Sequence, residues 1–228
     1  MIHNLRLLMD HTCCWIYDSR HYIAPIMPYR IIEISPKSVR YKLRKNISTS
    51  PLRPSPVING NWDQQVKKFC EDVVYKSFDR HFNDGVSWEQ TEYYQFVLDR
   101  IDTKGSYKGL TKKSEIRTRC QNLDKLYYKI DKYGYRRQRE LGENKINILD
   151  TEPFLPPDRK EITIHISRDG EFLWAGGAHR LSIAKLLNID YVPVRIKTRH
   201  HKWQRLRDRI YMGKEIPSKL EGHPDLQF

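Results

Sequence analysis

The sequence predicts an α+β protein, in which a small mixed sheet carries an inserted helical subdomain. Short runs of alternating apolar and polar residues occur near both ends of the chain and indicate half-buried strands. Between them, from Trp62 to Gly134, apolar residues recur at helical spacing. The 228 residues fit one domain, or one domain with a sizeable insertion, because domains typically hold roughly 100–200 residues.

The composition indicates a folded, strongly basic protein. Hydrophobic residues make up 39% of the chain, which is enough for a packed core and argues against global disorder. The chain carries 41 Lys and Arg against 28 Asp and Glu, a formal net charge of +13. Such an excess attracts polyanions, so the charge points to nucleic acid, nucleotides or anionic membrane surfaces.

Two further features of the sequence bear on its location. No stretch approaches the roughly 20 consecutive apolar residues of a membrane span, and Arg6, Asp10 and Asp18 interrupt the N-terminal run that a secretory signal needs. The four cysteines have no spacing typical of zinc sites. We therefore expect a cytoplasmic protein with reduced cysteines and no membrane partner.

The N-terminal segment, residues 1–45, includes the first predicted core strand. Three isoleucines between residues 31 and 34 surround Glu33, and Pro36 ends the run. Residues 46–61 are rich in Ser, Pro and Asn, which predicts a linker.

Residues 62–150 are predicted to form the helical insertion. The first helix covers WDQQVKKFCEDVVYKSFDRHF, which begins at Trp62, and the second starts at the capping residue Ser87. The third starts at Ser114 and stops at Gly134, a residue type that favours the end of a helix.

Residues 151–228 are predicted to form the rest of the core. EITIHIS and EFLWA read as strands joined by a tight turn at Asp169-Gly170. HRLSIAKLLN reads as a helix, YVPVRI as a strand and HHKWQRLRDRIYM as a basic C-terminal helix.

The turn after EFLWA carries the chemistry that the sequence predicts. The strand ends at Ala175, Gly176 and Gly177 follow, and a helix begins near His179. Glycines let the backbone approach a ligand, and a helix start offers unpaired N–H groups with about half a positive charge. Arg180 can bind two phosphate oxygens and His179 can donate from its ring. The turn is therefore a candidate anion site, although the same residues also fit an ordinary surface turn.

The run DGEFLWAGGAHRLSIAKLLNIDYVPVRI resembles the signature of the ParB/sulfiredoxin superfamily, over about residues 160–197. The resemblance implies a ParB/sulfiredoxin-like core in which Gly176, Gly177, His179 and Arg180 bind the phosphates of a nucleotide. It also implies a nucleoside triphosphate with Mg²⁺ as cofactor, since Mg²⁺ is usually held largely by phosphates.

Ala178 departs from the reductases of this superfamily, which place their catalytic cysteine at the matching position. Sulfur transfer needs a thiolate, so we expect no sulfiredoxin-type reductase activity. Other members use a carboxylate as general base in a nucleotide-dependent kinase reaction, and Glu33 is the candidate for that role here. The other interpretation of Glu33 is an outward polar residue on an edge strand.

The basic C-terminal helix supports a second interpretation. Its candidate nucleic-acid contacts are Arg199, Lys202, Arg205 and Arg209. Trp203, Leu206 and Ile210 have the helical spacing of a stripe that docks on a core, which leaves the charged side for DNA or RNA.

The working function is nucleotide binding, in an NTP-dependent phosphotransferase or an NTPase. The alternative is a ParB-like nucleic-acid-binding module without catalytic activity, and a third interpretation is a scaffold that no longer binds nucleotide. The identity of the nucleotide, its fate and the oligomeric state stay open.

Overall fold

The computed structural model describes residues 21–27, 30–47, 56–141 and 160–228. Cys13, Cys14, residues 48–55 of the predicted linker and the end of the predicted helical insertion lie outside these ranges. The described residues form a mixed α+β structure with one small sheet and five α-helices, which confirms the predicted fold class at that level.

The chain divides into two compact units. Unit 1 comprises Met1–Phe69, Pro156–Gly177 and Asp190–Phe228, and unit 2 comprises Cys70–Leu155 and Ala178–Ile189. Unit 1 therefore contains the sheet, and unit 2 contains most of the helices.

The sheet of unit 1 has seven strands: β1 (Ile31–Ile34), β2 (Tyr41–Leu43), β3 (Val57–Ile58), β4 (Val66–Lys68), β5 (Ile162–Ile166), β6 (Phe172–Gly176) and β7 (Val192–His200). Their spatial order is β1-β7-β5-β6-β2-β4, with β3 beside β7. Strand β7 runs antiparallel to β1 and parallel to β3 and β5. The sheet is therefore mixed.

The predicted strands β1, β5, β6 and β7 are confirmed, and their apolar residues build the core of unit 1. Side chains on β5 and β7 that are completely buried include Ile162, Ile164, Ile166, Val194 and Ile196. Burying an aliphatic side chain of this size contributes about 1.5–3 kcal/mol, so these two strands supply a large part of the driving force.

The first predicted helix is wrong over its first half. Trp62–Gln64 forms a short 3-10 turn, Val66–Lys68 forms β4 beside β2, and the helix begins only at Val73. Asp72 caps that helix, because its carboxylate accepts a hydrogen bond from the N–H of Val74 at 2.9 Å. Strand β4 forms because it pairs with β2, more than twenty positions earlier in the chain. The spacing of apolar residues within the segment itself contains no information about that pairing.

Unit 2 packs four helices: α1 (Val73–Phe82), α2 (Glu92–Lys104), α3 (Lys113–Tyr133) and α4 (Ala178–Leu186). Helix α2 is capped by Thr91 rather than by the predicted Ser87, which starts a 3-10 turn instead. Helix α3 stops at Gly134 as predicted. Helix α4 was predicted within the sheet core, but Ile183 joins the aromatic and aliphatic core of unit 2.

Helix α5 (His201–Tyr211) belongs to unit 1 and docks through Trp203, which is fully buried as its spacing predicted. The turn at Gly170 fits against this indole. Gly170 has φ +89°, and a Cβ there would lie 2.5 Å from Cζ3 of Trp203. Only glycine satisfies both the backbone conformation and the packing.

A buried carboxylate ties the C-terminal residues of unit 1 to β7 and α5. Asp225 is fully buried and accepts hydrogen bonds from Arg199 Nη2 at 2.7 Å and Arg199 Nε at 2.9 Å. It also accepts from Trp203 Nε1 at 2.9 Å, and Arg207 Nε lies 3.3 Å from the same carboxylate. Burial alone would raise the pKa of Asp225, but Arg199 and Arg207 hold it well below its ordinary value.

Replacing Gly170 by alanine is expected to destabilise the protein by about 1–3 kcal/mol more than Gly213→Ala. Both positions have a positive φ, but a Cβ at Gly213 meets nothing within 4 Å, whereas one at Gly170 overlaps Trp203. Urea denaturation of the two variants measures the difference. Equal losses would show that the turn and the indole move apart without cost.

Asp225→Asn is expected to lower the free energy of unfolding by about 3–5 kcal/mol, because it leaves two buried guanidinium groups without their counter-charge. The folded pKa of Asp225 lies below its ordinary 3.8, so its contribution is present above pH 3.8 and is lost as the pH falls further. Denaturation measurements between pH 7 and pH 3 should therefore show that the variant loses less free energy of unfolding on acidification than the wild type does. Asp102→Asn, at an exposed position on α2, is the control and should change neither quantity.

Candidate anion-binding site at the start of helix α4

The glycine pair lies at the predicted turn, where β6 ends and α4 begins. Gly176 ends the strand, and Gly177 has φ +79°. A Cβ at Gly177 would lie 3.0 Å from Cα of Ile162, and one at Gly176 would overlap the hydroxyl of Thr163. Packing inside unit 1 is therefore a sufficient reason for both glycines, whatever binds near them.

His179 and Arg180 follow the turn and belong to unit 2. The imidazole of His179 stacks on Phe78, with ring centroids 5.7 Å apart, and meets Tyr93 edge-on at 5.6 Å. Nη1 of Arg180 donates to the hydroxyl of Tyr135 at 3.5 Å. Within the described residues neither ring nitrogen of His179 has a hydrogen-bond partner, so the ring is held by aromatic packing alone.

Two further cations of unit 2 lie near this histidine. Arg119, on α3, is 8% exposed, and its Nε donates to the hydroxyl of Tyr93 at 2.9 Å. Lys108 lies at the tip of a two-residue turn after α2, where Lys108 and Gly109 have φ +48° and +82°. Two successive positive φ values are typical of a type I′ turn.

These charges define the electrostatics of the site. Burial first, and then the positive charges of Arg119, Lys108 and Arg180, lower the pKa of His179 to about 3. The imidazole is therefore neutral at pH 7. Loss of water and the charge of Arg119 also lower the pKa of Lys108. Burial raises the pKa of Tyr93 to about 12, although Arg119 opposes the rise.

Positive charge is left uncompensated around Arg119. No carboxylate among the described residues lies within ion-pair distance of Arg119 or Lys108. Buried cations are normally paired, because water no longer stabilises their charge. The first turn of α4 adds N–H groups at the positive end of a helix. This arrangement favours an anion such as phosphate, sulfate or carboxylate.

Glu33 lies on β1 in unit 1, where its side chain is exposed. It lines a cleft of about 500 Å³ together with Arg30, Ser35 and Tyr191, and it is the one acidic residue among the described lining residues. The cleft gives Glu33 access to a small molecule. Its role as a general base stays a prediction.

Three of the four predicted nucleic-acid contacts lie on the surface. Lys202, Arg205 and Arg209 are exposed on α5, and the guanidinium of Arg205 lies 3.6 Å from Asp208. Arg199 is instead fully buried against Asp225, so it does not belong to the predicted surface. The alternation of apolar and polar residues in a strand contains no information about Asp225, which follows Arg199 by 26 positions.

Neither Arg119 nor Lys108 was among the predicted site residues, although each has a signal in the sequence. Arg119 comes three residues after Ile116 and four before Leu123, which places it on the edge of the buried stripe of α3. Lys108-Gly109 between Tyr107 and Leu110 is a turn signal. No pattern in the sequence shows that the charges of Arg119 and Lys108 act on the same histidine.

No protein-family model, curated protein or solved structure matches the chain. The resemblance to the ParB/sulfiredoxin superfamily, and the nucleotide that it implies, stay predictions. Within the described ranges no helix is long and apolar enough to cross a membrane. The same ranges contain no group of three or more His, Cys, Asp or Glu residues placed to hold a metal ion.

Pyrophosphate is expected to raise the pKa of His179 by about one unit or more, because a bound anion offsets the surrounding positive charges. Without ligand the folded pKa lies below the ordinary 6.5, so this histidine stabilises the fold above pH 6.5 and the contribution falls as the pH drops towards 3. NMR titration of the imidazole measures the pKa with and without pyrophosphate. Lys108→Asn keeps the left-handed turn and should reduce the response; an unchanged His179 titration in saturating pyrophosphate would contradict the site.

Proposed function

We propose that the protein binds a phosphate-bearing ligand, a nucleoside triphosphate, at the first turn of α4. The observation that carries the proposal is the state of Arg119. Its side chain is 8% exposed, and it has no carboxylate partner among the described residues. A phosphate group would supply the missing negative charge. Its oxygens would also accept hydrogen bonds from the N–H groups of the guanidinium that do not bind Tyr93.

Each residue has a distinct part in this proposal. The hydroxyl of Tyr93 orients Arg119, which acts as a fixed fork, whereas Lys108 is a flexible point charge on a tight turn. Arg180 adds a second fork, and the N–H groups at the start of α4 add the positive end of the helix dipole. His179, neutral at pH 7, can donate one hydrogen bond without adding a charge.

The number of cations favours a polyphosphate over a single carboxylate. The positive charges of Arg119, Lys108 and Arg180 all act on one imidazole. A triphosphate matches such a cluster better than a monoanion does, because each additional charge strengthens the attraction. The resemblance to nucleotide-binding proteins favours a nucleoside triphosphate among the polyphosphates. Any accompanying Mg²⁺ would be held mainly by phosphate oxygens and water.

We further propose that the protein catalyses a phosphotransferase or NTPase reaction, in which Glu33 is the general base. The exposure of Glu33 at a cleft of about 500 Å³ supports access for an acceptor molecule or water.

A thermal-shift screen of ATP, ADP, CTP and GTP with Mg²⁺ tests the binding proposal. A ligand at 100 times its Kd should stabilise the wild-type protein by about 2.7 kcal/mol. Lys108→Asn and Arg180→Gln should each reduce that gain. Lys129→Gln removes an exposed charge from α3 and should retain it. If no nucleotide stabilises the wild type, or if all three variants respond like the wild type, the proposal is wrong.

Turnover of the stabilising nucleotide tests the role of Glu33. Glu33→Gln should retain the thermal shift and lose phosphate release by about 10²-fold or more, the usual contribution of a general base. Full activity in this variant would remove the general-base assignment and leave the binding proposal intact.

A further inference from the structure

The side of α3 that faces away from the core of unit 2 is both basic and aromatic near the end of the helix. Ile116, Leu123 and Ile130 are the buried aliphatic residues of α3. Residues three or four positions apart share one side of a helix, so the exposed residues of its last turns lie together on the opposite side. The α3 outer face comprises five exposed residues, the last of which follows the helix: Lys125, Tyr128, Lys132, Tyr133 and Arg136.

The three cations of the α3 outer face have no carboxylate partner within the described residues. No Asp or Glu there lies within ion-pair distance of any of the three. Asp124 accepts a hydrogen bond from Nε1 of Trp88 at 2.8 Å, and Asp131 is exposed but pairs with none of them. Lys129, which is also exposed, adds to the local charge. The face therefore presents an excess of positive charge to solvent.

The two tyrosines of the α3 outer face are largely open to solvent. Tyr128 is 63% exposed, and it meets Tyr127 and Phe82 only edge-on, at centroid distances of 5.6 and 6.4 Å. Tyr133 is 55% exposed. Exposed aromatic rings are surfaces on which the bases of a nucleic acid can stack.

The cations of the face are close to one of these rings. Nζ of Lys132 lies 5.1 Å from the ring centroid of Tyr133, and the guanidinium of Arg136 lies 6.0 Å from it. Cation–π contacts of this length orient the side chains without cancelling their charge. A base on Tyr133 would thus bring its own phosphate close to two positive charges.

This combination of residues fits a nucleic acid better than a protein or a membrane. Lysine is depleted at the core of protein interfaces, yet Lys125 and Lys132 lie among the tyrosines here. Membrane-surface helices insert Trp, Phe or Leu into the lipid. On α3 the large hydrophobic side chains that are exposed are the two tyrosines alone. Phosphates match the cations of the face, and bases match its rings.

We propose that the α3 outer face binds single-stranded nucleic acid, with bases stacked on its two tyrosines and phosphates paired with its three cations. Bases in a duplex already stack on each other, so the rings favour an unpaired strand. Tyr128 and Tyr133 are five residues apart, or about 7.5 Å along the helix axis, so each can take a base of its own. Every base has a face that stacks, so the binding tolerates different sequences. The inference does not depend on the nucleotide proposed at the first turn of α4.

Fluorescence anisotropy of a labelled single-stranded oligothymidylate with the full chain tests the stacking. Tyr128→Ala/Tyr133→Ala should raise the Kd by about 10-fold or more, because two stacked bases are lost, and should leave the salt dependence unchanged. Tyr128→Phe/Tyr133→Phe keeps both rings and should bind like the wild type. All four positions of substitution are exposed, so the melting temperatures should stay close to that of the wild type.

The salt dependence of the same binding tests the phosphate contacts. Lys125→Gln/Lys132→Gln/Arg136→Gln should reduce the slope of log K against log salt by about 2, since each contact to a single strand contributes about 0.7. A matched variant removes three exposed charges from elsewhere and should bind nearly as tightly as the wild type: Lys76→Gln/Lys104→Gln/Lys214→Gln.

Several results would overturn the inference. The wild type might not bind the oligonucleotide, the alanine variant might bind as tightly as the wild type, or the phenylalanine variant might lose as much as the alanine variant. Equal losses in the two charge variants would assign the binding to overall charge, and equal affinity for a duplex of the same length would exclude stacking. Tighter binding of polyglutamate at equal charge concentration would favour an acidic protein partner instead.

Discussion

The carboxylate of Asp225 lies within ion-pair distance of Arg30, Arg199 and Arg207 and also accepts the indole N–H of Trp203. These groups come from the residue before β1, the end of β7 and helix α5. Charges removed from water are costly unless every partner is in place, so this cluster is stable only when those elements meet in one arrangement. The cluster therefore anchors the end of β7, which lies between β1 and β5 in the sheet of unit 1.

Unit 2 uses a buried arginine in the opposite way. Arg199 and Arg207 share a fully buried carboxylate, whereas Arg119 has the phenol of Tyr93 as its partner and further cations as its neighbours. A buried arginine that is paired with a carboxylate holds the paired elements in one arrangement, whereas a buried arginine without a carboxylate favours the binding of an external anion. Positive charge that the described residues leave unbalanced around Arg119 is therefore the feature that carries the proposed function.

The strands around Glu33, Ile164 and Val194 and the helix that begins near His179 were predictable, because each has a local pattern of apolar residues. Strand β4 was not, since Lys67 and Lys68 become a strand only through pairing with β2. Of the candidate anion site, His179 and Arg180 were predicted from their position at a helix start. Arg119 and Lys108 were not, because they lie some 60–70 positions earlier in the chain and reach the histidine only when α3 and the turn after α2 pack in unit 2.

The sequence by itself determined the α+β class, four of the seven strands and the glycine turn that leads into α4, because hydrophobic period and glycine placement are local properties of the chain. Only the tertiary structure decided which charges are matched. It placed Arg199 against Asp225 and away from the surface, and it left Arg119 near a neutral imidazole. The physical reason is that ion pairing and desolvation depend on distances between residues far apart in the chain, which no window of sequence contains.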